Sequence, residues 1–298
     1  MSLPVYLDCA ATSPIEDSVR ETLLFYLTEE FGNEGSRTHE YGSRAKQAVQ
    51  KARDQVAAVV DAKRDEVLFT SGATESNNLA ILGLAAEGQK QGRRHLVTSR
   101  IEHKAVLDPF ARLEQEGFEV TYLEAGPTGR VEPGELQDAL REDTLVVSVM
   151  QANNETGVLQ PVEDLAEVLK DHEAFFHCDA AQGFGKDLQS LQNKRIDLIS
   201  VSGHKIFGPK GIGALIARRR GYRKVPLNAL TVGGGQERGL RPGTLPVPLI
   251  AALGKAAELA KHDHQQRATR CATIRKAALE ALEPVGIKVT GDPNHSLP

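Results

Sequence analysis

Short, continuous apolar runs alternate with longer segments of helical periodicity along most of this chain. Continuous rather than alternating hydrophobicity is typical of strands that are buried on both faces of a parallel sheet. The cadence of strand, helix and strand therefore predicts an α/β fold with a mostly parallel, seven-stranded sheet flanked by helices. We expect strands at residues 67–69, 95–98, 120–123, 144–149, 175–178, 196–201 and 213–217. We expect helices at residues 75–87, 105–115, 135–140 and 162–171.

The pattern changes after Pro248. Apolar positions at helical spacing continue from Leu249 to Leu282, with a break near residues 263–264, and residues 287–290 predict one more strand. We therefore expect a large ligand-binding domain over residues 15–250. Residues 1–14 and 251–298 are expected to form a second, incomplete small α/β domain that a bridging helix connects to the first.

Composition narrows the class of protein. The chain has 298 residues, a formal net charge of −4, 40% hydrophobic and 26% charged residues, which indicates a globular protein with a large core. The acidic balance argues against nucleic acid as a direct partner. The N-terminus lacks the features of a signal peptide, and no apolar stretch is long enough to span a membrane. Three widely spaced cysteines and the absence of metal-binding motifs favour a cytoplasmic protein without disulfides or a metal site.

Polar residues follow the predicted strands, at the edge where a parallel sheet binds its ligands. Residues 71–75 offer either an anion site at a helix N-terminus or a plain helix cap at Thr74, and alone they favour the cap. His103 could be a base or a stacking ring, although a single histidine is more often structural. Asn153 and Asn154 are either turn formers or ligand contacts.

A carboxylate and an amine follow the fifth and sixth predicted strands. Asp179 ends a buried run, where a charge is costly unless it is paired. Lys205 lies in "SVSGHKIFGPKGIGAL", residues 200–215, which by itself fits a phosphate loop, a covalent lysine or a solvated turn. One ligand, pyridoxal phosphate, matches all five features at this edge of the sheet: an anion site, an imidazole, an amide, a carboxylate and a lysine. That cofactor has a phosphate, a basic ring nitrogen and an aldehyde that condenses with lysine.

Eight stretches of the sequence resemble cysteine desulfurases of the class V aminotransferase group. They are "YLDCAATSP" (6–14), "GNEGSRTHEYG" (32–42), "FTSGATESNNLAILG" (69–83), "EHKAVL" (102–107), "NNETGVLQP" (153–161), "HCDAAQGFGK" (177–186), "SGHKIFGPKGIGAL" (202–215) and "GGGQERGLRPGTLPV" (233–247). These stretches occur in the order of the family and cover almost the whole chain. The resemblance implies the fold-type-I architecture of pyridoxal-phosphate-dependent transferases.

The resemblance also implies a role for each matching residue. Lys205 would hold the cofactor aldehyde as a Schiff base, and His103 would stack on the ring and move protons. Asp179 would pair with the ring nitrogen, and Gln182 would bond the phenolic oxygen. The phosphate would be held by Ala73, Thr74, Ser202 and His204.

Two further positions complete the implied site. Asn154 would lie near the phenolic oxygen and the substrate carboxylate, whereas Thr244 would reach the phosphate of a partner subunit. The latter role implies a homodimer with shared sites. Lys210 is expected to be structural, with the glycines around it shaping a tight turn.

The activity implied by the resemblance converts L-cysteine to L-alanine and passes sulfur to an enzyme cysteine, then to an acceptor protein. The acceptor remains open among iron–sulfur cluster assembly, tRNA thiolation and DNA modification. Cys9, Cys178 and Cys271 do not match the family's nucleophilic cysteine, which follows the stretch where this sequence stops, so we expect incomplete sulfur transfer by these 298 residues. The alternatives are a selenocysteine lyase, an aminotransferase or a pyridoxal-phosphate-binding scaffold.

Overall fold

A seven-stranded sheet forms the centre of the protein, in a computed structural model that describes residues 4–298. Its strands are β1 Val67–Thr70, β2 His95–Ser99, β3 Glu119–Leu123, β4 Thr144–Ser148, β5 Phe175–Asp179, β6 Leu198–Ser202 and β7 Gly213–Ala217. The strand order is β1-β7-β6-β5-β4-β2-β3. Among these strands β7 runs antiparallel to both of its neighbours, β1 and β6, and all other pairs are parallel. The predicted fold class, a mostly parallel α/β sheet flanked by helices, is confirmed.

Helices cover both faces of this sheet. They are α1 Asp17–Thr28, α2 Glu40–Val59, α3 Ala73–Leu82, α4 Ala85–Gln91, α5 Lys104–Gln115, α6 Pro133–Ala139, α7 Val162–Val168, α8 Val247–His262 and α9 His264–Leu282. Adjacent residues of a strand point to opposite faces, so Val67 and Phe69 join the core beneath α2 and α8, while Leu68 joins the core beneath α3 and α5. Burial on both faces accounts for the continuous apolar runs.

The helix predicted over residues 75–87 is interrupted in the structure. It ends at Leu82 and a new helix starts at Ala85. The carbonyl of Gly83 accepts a hydrogen bond from the backbone N–H of Asn228 at 2.8 Å, so a distant loop takes the acceptor that a continuing helix would use. A long-range contact of this kind has no signal in local periodicity.

The N-terminal and C-terminal parts depart further from expectation. No helix was predicted before residue 67, yet α1 and α2 lie there, and α2 buries a stripe of mostly small Ala and Val side chains. The strand predicted over residues 287–290 was wrong, because this segment is exposed and pairs with no strand in the described chain.

The helical break predicted near residues 263–264 is confirmed by the end of α8 and the start of α9. Helix α8 runs through residue 250 and packs against α1 and α2. The division into domains at residues 15–250 therefore stays a prediction, and its portion on residues 1–3 lies outside the described chain. Within residues 4–298, no helix is both long enough and apolar enough to cross a membrane.

Candidate active site

A cavity of about 610 Å³ opens at the carboxyl ends of the parallel strands. Its walls come from the segments that follow β1, β2, β4, β5 and β6, as expected for a ligand site of an open α/β sheet. Nine of the residues singled out from the sequence line it: Ala73, Thr74, His103, Asn154, Asp179, Gln182, Ser202, His204 and Lys205. The tenth, Thr244, is exposed and does not line this cavity.

The start of α3 forms one end of the cavity. The N-cap is Gly72, and no side chain of the described residues caps the helix, so the cap expected at Thr74 is absent. The first helical hydrogen bond runs from the Ser76 N–H to the Gly72 carbonyl at 3.1 Å. The N–H groups of Ala73 and Thr74 therefore point without an intrahelical acceptor toward the cavity end, where the helix dipole also favours an anion.

Glycine at position 213 allows this helix start to lie against the sheet. A Cβ atom on Gly213 would come within 2.6 Å of the Gly72 Cα and 2.3 Å of the Val201 carbonyl oxygen. Only a residue without a side chain permits such an approach between β7 and the loop after β1. Gly72 itself has φ of 153°, a conformation that favours glycine.

The turn after β6 brings Ser202, His204 and Lys205 into the cavity. His204 Nδ1 lies 3.2 Å from the Thr12 hydroxyl, and burial together with the charges of Lys205 and Lys210 lowers its pKa. The Lys205 ammonium donates to the carbonyl of Ala10. Burial lowers the pKa of Lys205, while nearby carboxylates, Asp179 among them, oppose this shift. The lysine is thus partly prepared to act as an amine nucleophile.

Asp179 forms the floor of the cavity at the end of β5. Its carboxylate accepts hydrogen bonds from Asn77 Nδ2 at 2.7 Å and from the Ala181 N–H at 2.9 Å. Burial raises the pKa of Asp179 above its usual value, although these two donors and the neighbouring His103 and Lys205 act in the opposite direction. A buried carboxylate with two fixed donors and free lone pairs is suited to a cationic ligand group.

His103 is the N-cap of α5, and its Nδ1 accepts the Ala105 N–H at 3.0 Å. In the neutral ring the proton therefore lies on Nε2. Gln182 Nε2 donates to the carbonyl of Ala10 at 2.9 Å, which ties the N-terminal segment to the site. Asn154 Nδ2 is bonded to Glu155 Oε1 at 2.7 Å.

Sequence reasoning missed two buried side chains of the site, Asn77 and Met150. Asn77 lies one helical turn after Ala73 and Thr74, so helical spacing could have placed it on the cavity side of α3. Its Oδ1 is buried and has no partner among the described residues. Lys210, which was expected to be structural, is exposed and lines the cavity. Cys178 is fully buried and lies away from the cavity, as strand alternation predicted.

A second cavity of about 840 Å³ meets the first at Asn154, Gln182 and Lys205. Its far wall includes the start of α9 and the loop that carries Cys9. The two cavities together provide room for a cofactor and for a small substrate beside Lys205.

The first cavity fits pyridoxal phosphate. The unsatisfied N–H groups at the start of α3 match a phosphate, Asp179 matches a protonated ring nitrogen, and Lys205 supplies an amine for the aldehyde. The fold and this site define a pyridoxal-phosphate-dependent enzyme of fold type I.

Comparison with known proteins gives the family. Residues 5–296 match the aminotransferase class-V model, and the chain belongs to this family. It is 47% identical over 283 residues to a cysteine desulfurase IscS of Anaeromyxobacter sp. strain Fw109-5, and the matched region covers 95% of this chain and 69% of that protein. It is 45% identical over 301 residues to a cysteine desulfurase IscS of Vibrio cholerae serotype O1, covering 100% of this chain and 74% of that protein.

Solved structures agree with this assignment. DndA from Streptomyces lividans has a TM-score of 0.91 and 51% identity, over 98% of this chain and 82% of that one. SspA in complex with cysteine has a TM-score of 0.79 and 42% identity, over 86% of this chain and 72% of that one. The resemblance to cysteine desulfurases that the sequence motifs indicated is confirmed.

Proposed function

We propose that this protein is a pyridoxal-phosphate-dependent cysteine desulfurase. It converts L-cysteine to L-alanine and transfers the sulfur to an enzyme cysteine, from which an acceptor protein takes it. The observation that carries the proposal is the meeting of Lys205, His103, Asp179 and the uncapped start of α3 in one cavity. The cysteine desulfurases among the relatives give the substrate.

Each residue around the cavity has a separate role in binding the cofactor. Ala73 and Thr74, with Ser202 and His204, hold the phosphate, and Asp179 pairs with the ring nitrogen. Lys205 is the covalent anchor. When bound, pyridoxal phosphate withdraws electrons from the carbon that carries the substrate amino group.

The proton transfers fall to Lys205 and His103. The lowered pKa of Lys205 increases the fraction of neutral amine, which can accept a proton from the substrate carbon and return one to it. His103 is held by its Nδ1 contact with Ala105, so its Nε2 is the atom that exchanges protons in the cavity. Gln182 and Asn154 orient the cofactor and the substrate carboxylate.

The described cysteines differ in their suitability for carrying sulfur. The attacking group in sulfur transfer is a thiolate. Cys178 does not suit this role, because complete burial and the nearby Asp179 raise its pKa well above the usual range. Cys9 and Cys271 are exposed and line the second cavity, but neither matches the family's nucleophilic cysteine.

The activity is tested with purified protein that includes the family's nucleophilic cysteine, which none of the three cysteines in these 298 residues matches. The protein is loaded with pyridoxal phosphate and incubated with L-cysteine and a thiol reductant. Alanine and sulfide should be released, and L-alanine formation should fall below detection in Lys205→Ala. Lys104→Ala is the matched control, because Lys104 is exposed and does not line the cavity. Full activity of Lys205→Ala would contradict the proposal.

We further propose a homodimer in which Thr244 of each chain reaches the phosphate in the other chain's site. Thr244 is exposed, and Val232 in the preceding segment is 92% exposed, which leaves apolar surface for a second copy to cover.

Mixed dimers of Lys205→Ala and Thr244→Ala chains test this sharing. One site of such a dimer carries both changes and the other carries neither, so about half of the wild-type activity should return. No return of activity above that of the separate variants would show that Thr244 serves its own chain or none.

A further inference from the structure

Glu102 is a buried carboxyl group directly behind the cavity. Its residue is 6% exposed and lies in the loop between β2 and α5. Both of its hydrogen bonds reach the same oxygen: Ser99 Oγ donates to Oε1 at 2.6 Å and the Met150 N–H donates to Oε1 at 2.8 Å. The other oxygen, Oε2, is buried without a partner among the described residues.

This one-sided pattern is that of a neutral carboxylic acid. An ionised carboxylate spreads its charge over both oxygens, and burial of an unpaired charged oxygen carries a large desolvation cost. A proton on Oε2 replaces the charge by a neutral hydroxyl group, which costs less to bury, and leaves Oε1 as the acceptor of both bonds. Burial, together with the charge of Asp179, raises the pKa of Glu102 to about 8.

The hydrogen bonds of Glu102 connect its own loop, between β2 and α5, to the end of β2 and to the segment after β4. Ser99 ends β2, and Met150, which follows β4, lines the cavity. The loop is further held by Asn153, whose Nδ2 donates to the Ile101 carbonyl at 3.1 Å and lies 3.6 Å from Met150 Sδ. His103 is the next residue along the chain from Glu102. The position of its ring therefore depends on the anchorage of this loop.

We propose that Glu102 is a positioning residue which, as a neutral acid, fixes the His103 loop against the ends of β2 and β4 and leaves the negative charge at the cavity floor to Asp179. The inference rests on the proposed function, since it concerns the reaction in which His103 moves protons.

The charges around Glu102 limit the pH range in which its carboxyl group stays neutral. The titratable side chains coupled to Glu102 are Asp179 and Cys178 on β5, and Cys178 is a thiol whose pKa burial raises. Ser99 and Met150 face Glu102 with neutral groups. Asp179 is in turn influenced by His103 and Lys205. Ionisation of Glu102 would add a second negative charge beside Asp179 and break the one-sided hydrogen-bond pattern. Activity should therefore decline as Glu102 loses its proton.

Two variants of the holoenzyme separate this role from simple packing. In Glu102→Gln the amide oxygen keeps both hydrogen bonds and the amide nitrogen replaces the protonated oxygen, so kcat at pH 7 should stay within about twofold of wild type. Glu102→Ala removes the anchor and should lower kcat about tenfold or more at every pH, with bound cofactor retained.

The pH profile of kcat and an infrared band show whether Glu102 acts as a neutral acid. The wild-type decline of kcat near pH 8 should be absent from Glu102→Gln, and the infrared band of a protonated carboxyl group at pH 7 should be missing from that variant. An unchanged alkaline decline in Glu102→Gln, an unchanged infrared band, or wild-type kcat in Glu102→Ala would each overturn the inference. Failure of the wild-type protein that includes the family's nucleophilic cysteine to release alanine would instead overturn the proposed function.

Discussion

At the scale of single residues, the site depends on how each polar group is held before any ligand arrives. Asp179 receives two donors, His103 receives one and Lys205 is tied to the Ala10 carbonyl. Preorganised groups of this kind lower the cost of orienting the reactants. Substitutions of such residues are therefore expected to change protonation states and proton transfer more than binding of the cofactor.

Replacing His103 by Ala should lower kcat by about 100-fold while the protein still binds pyridoxal phosphate, because general acid–base groups contribute on this order. The measurement is steady-state alanine formation alongside cofactor absorbance. Lys104→Ala, which changes the next residue, should have kcat close to wild type. Equal losses in the two variants would show that only the start of α5 had been disturbed.

Glu102 should make the free energy of unfolding depend on pH. The pKa of its carboxyl group rises from 4.5 to about 8 on folding, so the folded protein keeps a proton that the unfolded chain releases between these values. The stability from this group is complete below pH 4.5 and is lost as the pH rises toward 8. The slope is at most about 1.4 kcal/mol per pH unit.

Urea unfolding of wild type and Glu102→Gln at several pH values between 5 and 8 measures this effect. Gln does not titrate, so the variant should gain stability relative to wild type as the pH rises. Parallel stability curves would mean that Glu102 is ionised in the folded protein.

At the scale of secondary-structure elements, the strands could be predicted because burial on both faces leaves a continuous apolar run in the sequence. The break between α3 and α4 could not, since it depends on Asn228, far away in the chain. Residues 287–290 have strand-like composition, but a strand also requires a neighbour with which to pair, and local sequence does not contain that information.

Gly213 links the sheet to the helix start that is proposed to bind phosphate. Gly213→Ala places a methyl group against the backbone of Gly72 and Val201 and should destabilise the protein by about 1–3 kcal/mol. It should also weaken pyridoxal phosphate binding, because the start of α3 must move.

The matched control is Gly134→Ala in α6, where a Cβ atom would meet nothing within 4 Å. Thermal unfolding and cofactor titration of both variants test the prediction. A Gly213→Ala protein as stable as the Gly134→Ala protein, with unchanged cofactor affinity, would contradict it.

At the scale of the whole molecule, the topology of the sheet explains why scattered residues could be grouped from sequence. Carboxyl ends of parallel strands share one edge, so Asp179 and Lys205, which end β5 and follow β6, had to lie close together. Met150 and Glu102 escaped prediction because an apolar residue and a lone carboxylate have no distinctive sequence pattern. Thr244 lies away from the cavity of its own chain. Its contact with the phosphate site of a partner subunit therefore stays a proposal.

The most direct test of the central claim is to identify the lysine that carries the cofactor. The loaded protein is reduced with borohydride and digested, and the modified peptide is sequenced by mass spectrometry. The account predicts modification of Lys205 alone, lost in Lys205→Ala and kept in Lys210→Ala, the exposed lysine of the same cavity. Modification of Lys210 instead, or of Lys186, which lines the second cavity, would contradict the account, as would attachment that survives in Lys205→Ala.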